Sequence, residues 1–320
     1  MTDPPSVTWL LPVRNGMPYL PLTLKSIAEQ TYRNHKIIAW DNGSTDETLD
    51  ELRRWIPSRI RGIVVSGNSM RLALSLAALV AMADTEFCAR IDADDINDPA
   101  RLERQVAFML DHPKTGVLGT QVRLIDENGD EYGEWNHPVE DRDVRWLMRW
   151  QTRLSHPSVL FRKSAVLAAG NYREFEYEDS DLWIRMSLVT EMRNLPDRLL
   201  KYRRSNRSKT GLIEDWLPVN RRVANFSASS LFPGIADPRR AMQLWEATHP
   251  YQLESPAKFW QLHALETAAV LLARQTGNPD DYFKQSESYR EQYYHLKRRV
   301  LERWGLRPLL RLRRHLAARG

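Results

Sequence analysis

With 320 residues, 42% hydrophobic and 27% charged, the chain is long enough to bury a sizeable core, and its composition is that of a globular protein rather than a fibre or a disordered polymer. No apolar run reaches the roughly eighteen residues needed to cross a bilayer, and the start Met1-Thr2-Asp3-Pro4-Pro5 lacks the basic and apolar regions of a secretory leader, so a cytoplasmic protein is expected. The single cysteine, Cys88, excludes a disulfide framework and a cysteine-based zinc site, and the net charge of +5 sits at the end: Arg290 to Gly320 holds ten Lys/Arg against two acids, leaving 36 basic against 39 acidic side chains before it.

The first third alternates short apolar runs with helical patterns, as parallel strands joined by crossover helices do. Strands are expected at 7–11 (ended by Pro12), 35–40, 60–65 and 86–91, with helices at 18–30, 46–55, 69–83 and after Asp98-Pro99. Ligands of such sheets bind beyond the carboxyl ends of the strands, which lines up the loops at 12–15, 41–46, 66–68 and 92–95 along one edge. From Val117 the pattern changes. A strand at 118–125, a turn at Asn128-Gly129 and a strand at 132–135 read as a hairpin, so the sheet is expected to be mixed. A helix at 140–150, a strand at 158–161, a helix at 180–188 and a strand at 199–203 follow. Beyond Thr210 strand signals vanish and helical spacing takes over, with Ser255-Pro256 opening a helix that Gly277 ends. A boundary near 210 divides residues 1–210, themselves split near 115, from a helical C-terminal region (211–320).

Three segments carry chemistry. Asp92-Ala93-Asp94-Asp95 packs three carboxylates into four residues after a buried-type strand; they repel one another unless a cation or hydrogen-bond donors neutralise them. In an extended segment Asp92 and Asp94 face one side and can converge on Mg²⁺ or Mn²⁺, whereas a helix-capping role is already filled by Asp98. Asp41-Asn42-Gly43-Ser44-Thr45-Asp46 follows the second strand. Asp41 can accept a hydrogen bond from a base or ribose and Gly43 permits close backbone approach, while Thr45 or Asp46 caps the next helix. Glu178-Asp179-Ser180-Asp181 opens a helix; acids there suit the helix dipole, and one of them can serve as general base.

Together with Leu11-Pro12-Val13-Arg14-Asn15, Gln30-Thr31-Tyr32, His156-Pro157-Ser158-Val159-Leu160-Phe161-Arg162 and Leu182-Trp183-Ile184-Arg185, these segments resemble the family 2 glycosyltransferases across residues 7–205. The resemblance implies an α/β, Rossmann-like nucleotide-diphospho-sugar transferase (GT-A) fold and an inverting, metal-dependent transfer of one sugar from a nucleotide diphosphate sugar, a UDP-sugar being favoured, to a hydroxyl of a glycan or lipid-linked acceptor. It makes residues 1–210 a catalytic domain with a nucleotide-sugar half (about 1–115) and an acceptor half (about 116–210). It further implies that Pro12, Val13, Asn15, Asp41, Asn42, Gly43, Asp92 and Ala93 hold the nucleotide, that Asp94 with Asp92 ligates Mn²⁺ or Mg²⁺, and that Asp179 is the base, supported by Glu178. His156, Arg162 and Trp183 fall on the acceptor side, and Tyr202-Arg203 toward the diphosphate; for His156 a packed, hydrogen-bonded histidine is the competing reading. The family's usual acid after Asp41 is Asn42 here. Its lysine-glycine pair near the nucleotide is absent, leaving Arg71 as the substitute basic contact.

In the tail, Tyr293, Leu296, Val300 and Trp304 recur at helical spacing among basic residues, and Leu309, Leu310, Leu312 and Leu316 continue beyond Gly305 and Pro308. Such a helix either lies on an anionic membrane or docks its apolar stripe on the protein or on a second subunit, with the membrane favoured for a lipid-linked acceptor. No nucleic-acid-reading motif accompanies the charge. Two rival functions are a sugar-phosphate nucleotidyltransferase, which normally needs a glycine-rich loop that residues 12–16 do not form, and an inactive nucleotide-binding scaffold, which the intact Asp92, Asp94 and Asp179 disfavour.

Overall fold

In the computed structural model, which describes residues 4–204, 213–232, 234–249 and 259–303, the first third forms the parallel half of one sheet. Strands β1 (Val7–Val13), β2 (His35–Asp41), β3 (Gly62–Ser66) and β4 (Phe87–Arg90) alternate with helices α1 (Leu20–Ala28), α2 (Thr48–Trp55) and α3 (Leu72–Met82) and lie side by side in the order β3-β2-β1-β4. Every residue of β1 and β4 is buried, as their unbroken apolar runs require of strands covered on both faces. Pro12 does not end β1 as expected. Pairing with β4 stops at Leu10, whereas pairing with β2 runs on to Val13 and Asp41, so Pro12 lies where only one side of the strand has a neighbour.

The second half completes a mixed sheet of nine strands with β5 (Ile96–Asn97), helix α4 (Arg101–Asp111), β6 (Thr115–Ile125), β7 (Glu131–Trp135), α5 (Asp141–Leu147), β8 (Leu160–Arg162), α6 (Lys163–Ala168), α7 (Glu178–Met186) and β9 (Glu191–Arg203). Strand β8 runs antiparallel to β4 and β6, β9 runs parallel to β6, and β5 pairs antiparallel with the end of β9. The expected hairpin joins β6 to β7, its turn held by Asp126, whose Oδ1 accepts from the N–H groups of Asn128, Gly129 and Asp130. Strand β9 starts well before the expected residue 199. Its register to β6 skips Pro196 and Asp197, a break that disguises one long strand as a loop and a short strand.

The C-terminal region is helical, as expected: α8 (Trp216–Phe226), α9 (Ala228–Leu231), α10 (Pro238–Thr248), α11 (Phe259–Gln275) and α12 (Glu287–Arg303). Gly277, at a φ of +68°, follows the end of α11. These helices share one buried cluster with the sheet: Trp146, Trp150, Leu182 and Trp183 pack with Phe232, Trp245, Leu272 and Phe283. The favoured membrane reading of the tail fails for α12. Its stripe residues Leu296 and Val300 are buried with Leu262, and Gln292 accepts the indole N–H of Trp146, so this face is covered by protein. Ser255-Pro256 and the tail from Trp304 onward lie outside the described residues.

Candidate active site

The carboxyl ends of β1 and β2 meet in a braced double loop. The N–H of Asn42 donates to the Val13 carbonyl at 2.8 Å, and Asn15, at a φ of +53°, donates its N–H to Ser44 Oγ while its own Oδ1 accepts from Thr45 N–H at 2.8 Å. Asp41 is buried, accepting from Ser44 N–H at 3.2 Å and from Ser66 Oγ at 3.3 Å. Asn42 explains the departure from an acid at this position. Its Nδ2 donates to the Met70 carbonyl at 2.7 Å and its Oδ1 accepts from Met70 N–H at 2.8 Å, a two-way clip that a carboxylate, having no donor, cannot make. Gly43, at a φ of +74°, packs where a Cβ would stand 3.0 Å from Ser69 N. The clip carries the chain to Arg71, whose Nε lies 3.1 Å from Glu174 Oε1.

Residues 92–95 form a turn rather than the extended segment expected, with Asp95 N–H approaching the Asp92 carbonyl at 3.4 Å. Each acid is held differently. Asp92 pairs at 2.6 Å with the guanidinium of Arg90, a fully buried residue of β4. Asp94 is pushed up to about 6 by burial and by the charge of Asp92. Asp95 is buried, raised well above the usual carboxylate range, and accepts from Arg203 N–H at 2.8 Å on the inner side. The Asp92 charge that opposes ionisation of Asp94 is of the kind a divalent cation relieves, and carboxylate oxygens are the hard donors that Mg²⁺ and Mn²⁺ prefer. Among the described residues no cluster of three or more His, Cys, Asp or Glu is arranged to hold a metal.

The first turn of α7 carries the second group of acids. Glu178 is buried while Asp179 is only half-buried. His156 opens the short turn before β8; its Nε2 is 2.8 Å from the Tyr172 hydroxyl and its Nδ1 is 3.9 Å from Glu178 Oε1. Burial, and then the positive charge of Arg90, hold the His156 imidazole well below its ordinary pKa, so it is neutral. Arg90 also interacts electrostatically with Tyr172 and Glu178, which ties the carboxylate turn to the opposite wall. Asp181 belongs to the fold instead: fully buried, it takes Arg173 Nε at 2.9 Å, Arg185 Nη2 at 2.8 Å and Ser227 Oγ at 2.7 Å.

Three expected site residues are engaged within the fold. Arg162 pairs with Phe87 at the start of β4, the end opposite the carboxylates, and its guanidinium donates to the carbonyls of Met109 and Thr115. Arg203 is spent on the carbonyls of Asp94, Asp126 and Glu127 and stacks 4.2 Å from the Tyr19 ring centroid, which braces the turn from behind. Trp183 is fully buried beneath His156, edge-on at 5.7 Å. Sequence reasoning missed Arg90 and Tyr172. A charge inside the otherwise apolar run Phe87-Cys88-Ala89-Arg90-Ile91 was the available signal for the first; a lone tyrosine offered none for the second.

Four parallel strands extended by a mixed half, with acids at the carboxyl ends of the former, make up the nucleotide-diphospho-sugar transferase (GT-A) fold. Staphylococcus aureus TarS 1–349, solved with UDP-GlcNAc, matches over 94% of this chain and 92% of its own at a TM-score of 0.60 and 15% identity. Mannosyltransferase PcManGT from Pyrobaculum calidifontis, solved with GDP-Man and Mn²⁺, matches over 92% and 85% at a TM-score of 0.53 and 18% identity. The chain belongs to glycosyl transferase family 2, whose sequence model matches residues 8–168. Among its relatives are the amylovoran biosynthesis glycosyltransferase AmsE of Erwinia amylovora, 34% identical over 56% of this chain and 68% of that protein, and the O-antigen biosynthesis glycosyltransferase WbnJ of Escherichia coli, 30% identical over 59% and 76%.

Proposed function

We propose that this glycosyltransferase moves a single sugar, with inversion, from a nucleotide diphosphate sugar, UDP-linked by preference, to a hydroxyl of a glycan or lipid-linked acceptor during synthesis of a bacterial cell-surface polysaccharide. The observation that carries the reading is that one buried guanidinium, Arg90, pairs with Asp92 and interacts with Glu178, which draws the carboxylate turn and the first turn of α7 toward one site. Relatives named for amylovoran and O-antigen biosynthesis support the product class, and complexes of fold neighbours with UDP-GlcNAc and GDP-Man support the donor class.

In this mechanism the loops after β1 and β2, with Asp41, receive the base and ribose, and Arg71 approaches the phosphates from its clipped loop. Asp94, with Asp92, would hold Mg²⁺ or Mn²⁺, which when bound supplies positive charge to a diphosphate leaving group. Asp179 accepts the proton of the acceptor hydroxyl as its oxygen bonds to the anomeric carbon and the bond to the diphosphate breaks on the opposite face; that geometry inverts the centre. Residues 1–210 carry catalysis and helices α8 to α12 brace it, with an anionic membrane surface as the partner of the basic residues beyond Arg303.

Two variants test this. With Mn²⁺ and a panel of UDP-glucose, UDP-galactose, UDP-N-acetylglucosamine and GDP-mannose, Asp94→Ala should abolish the manganese-dependent thermal shift, because a ligand stabilises only what binds it. Asp179→Asn should keep that shift and lose turnover by about 10²-fold or more. Full turnover by Asp179→Asn would refute the base assignment, and binding without turnover in the unchanged chain would favour the inactive scaffold.

A further inference from the structure

The sequence leaves open how Glu178 and Asp179 divide their work. We infer that Tyr172 and His156 are positioning residues that seat Glu178 inside the protein and thereby aim Asp179 at the acceptor; this rests on the reading of Asp179 as the base.

The three side chains form a buried line. Tyr172 follows Asn171, which sits at a φ of +58°, accepts the Tyr172 N–H on its Oδ1 and donates its Nδ2 to the Ala77 carbonyl at 3.2 Å. The tyrosine is thereby pinned to α3. Its hydroxyl meets His156 Nε2 at 2.8 Å, and Trp183 supports the imidazole edge-on. On the far side His156 Nδ1 faces Glu178 Oε1 at 3.9 Å. A neutral imidazole carries one proton, and a carboxylate facing Nδ1 is best served by placing it there. Nε2 then has its lone pair free for the tyrosine O–H. With that tautomer the line runs from tyrosine through histidine to glutamate. At 3.9 Å the last contact is longer than a hydrogen bond, and contacts of this kind tighten when substrate is bound.

The placement matters because Glu178 and Asp179 are neighbours on the first turn of α7, about 100° apart around the axis at 3.6 residues per turn. Holding Glu178 inward fixes the rotation of that turn, and with it the half-buried Asp179. A buried polar chain of this kind is costly to desolvate compared with leucine and phenylalanine of similar size. Its geometry gives a return that packing alone does not, the aiming of a proton acceptor, for which an error on the order of 1 Å costs about 10²-fold in rate.

The test uses the full chain with Mn²⁺ and whichever donor of the four-sugar panel it hydrolyses fastest, water standing in for the acceptor hydroxyl. Tyr172→Phe and His156→Ala should each lower kcat about tenfold at unchanged donor KM, since they misaim rather than remove a group. His156→Asn, which keeps an N–H near the Nδ1 position, should retain more turnover than His156→Gln, which does not. In ¹⁵N-histidine NMR spectra His156 should show the Nδ1–H tautomer, and Glu178→Gln should shift that resonance. Wild-type kcat for both Tyr172→Phe and His156→Ala, in a preparation where Asp179→Asn has lost turnover, overturns the inference, as does an Nε2–H tautomer. Full turnover by Asp179→Asn overturns the base assignment and this inference together.

Discussion

His137 shows how single residues set the chemistry of this molecule. Its Nε2 is 2.8 Å from Ser155 Oγ, its backbone N–H is bound by Gln121, and burial followed by the charge of Arg153 lowers its pKa to about 4. His35 and His249 are lowered to about 4 in the same way. A histidine kept neutral in the fold but protonated near pH 6.5 when unfolded contributes stability that is complete above about 6.5 and declines as pH falls toward 4. Asp94 and Asp95, raised by burial, act in the opposite sense. His137→Gln should therefore flatten the slope of unfolding free energy against pH between 4 and 6.5 by about 1.4 kcal/mol per pH unit, one proton's worth, as read from urea titrations in metal-free buffer; an unchanged slope would show that His137 ionises in the folded protein. At this scale the sequence was most legible where a residue type is expensive: the acids crowded after β4 marked a turn in which burial raises Asp94 and Asp95. It was least legible for arginines. Nothing in Arg162 or Arg203 as letters distinguishes a guanidinium facing a diphosphate from one consumed by backbone carbonyls, and that difference is made by residues far away in the chain.

Helix α7 illustrates the element scale, because its first turn serves two masters. Asp179, half-buried, is the residue proposed as the base, whereas Asp181, two residues on and about 200° around the helix, is a fully buried junction of Arg173, Arg185 and Ser227 that fastens α7 to α8 and α9. Asp181→Ala leaves Arg185 buried without its carboxylate and should cost about 3–5 kcal/mol, the usual effect of breaking a buried pair from one side. Urea denaturation of the variant checks this, and a loss below about 1 kcal/mol would mean that the pair behaves as a surface bridge. The elements themselves were largely readable. Strand and helix periods located β1 to β4 and the hairpin because those segments satisfy their own pattern. Helix α6 and the two-residue β5 escaped, one too short to show a period and the other defined only by pairing with β9. Strand β9 was half seen, since Pro196 and Asp197 interrupt it without ending it.

For the whole molecule, the position of the helical region is set by tryptophan. Trp245 donates its indole N–H to the Arg149 carbonyl at 2.7 Å, Trp150 lies edge-on to Trp146 at 4.9 Å, and Trp146 also meets Tyr289 of α12. A chain ending at 303 should keep thermal stability and donor turnover while losing affinity for phosphatidylglycerol vesicles in co-sedimentation, whereas a chain ending near 210 should bare these rings and aggregate. Vesicle binding undiminished by the shorter cut would remove the membrane from the tail's role; a well-behaved 1–210 fragment would show that the sheet region closes its own core. The basic tail was the least legible large feature, because an amphipathic stripe reads the same against lipid as against protein and only the partner decides.

The indole cluster also sets a rule for anyone building hybrids within the family. The natural splice point along the chain falls after β9, yet the seat on which the C-terminal helices rest is carved by Trp146 and Trp150, some sixty residues upstream. A transplanted set of helices must travel with that upstream segment, or the recipient will present a socket cut for another plug.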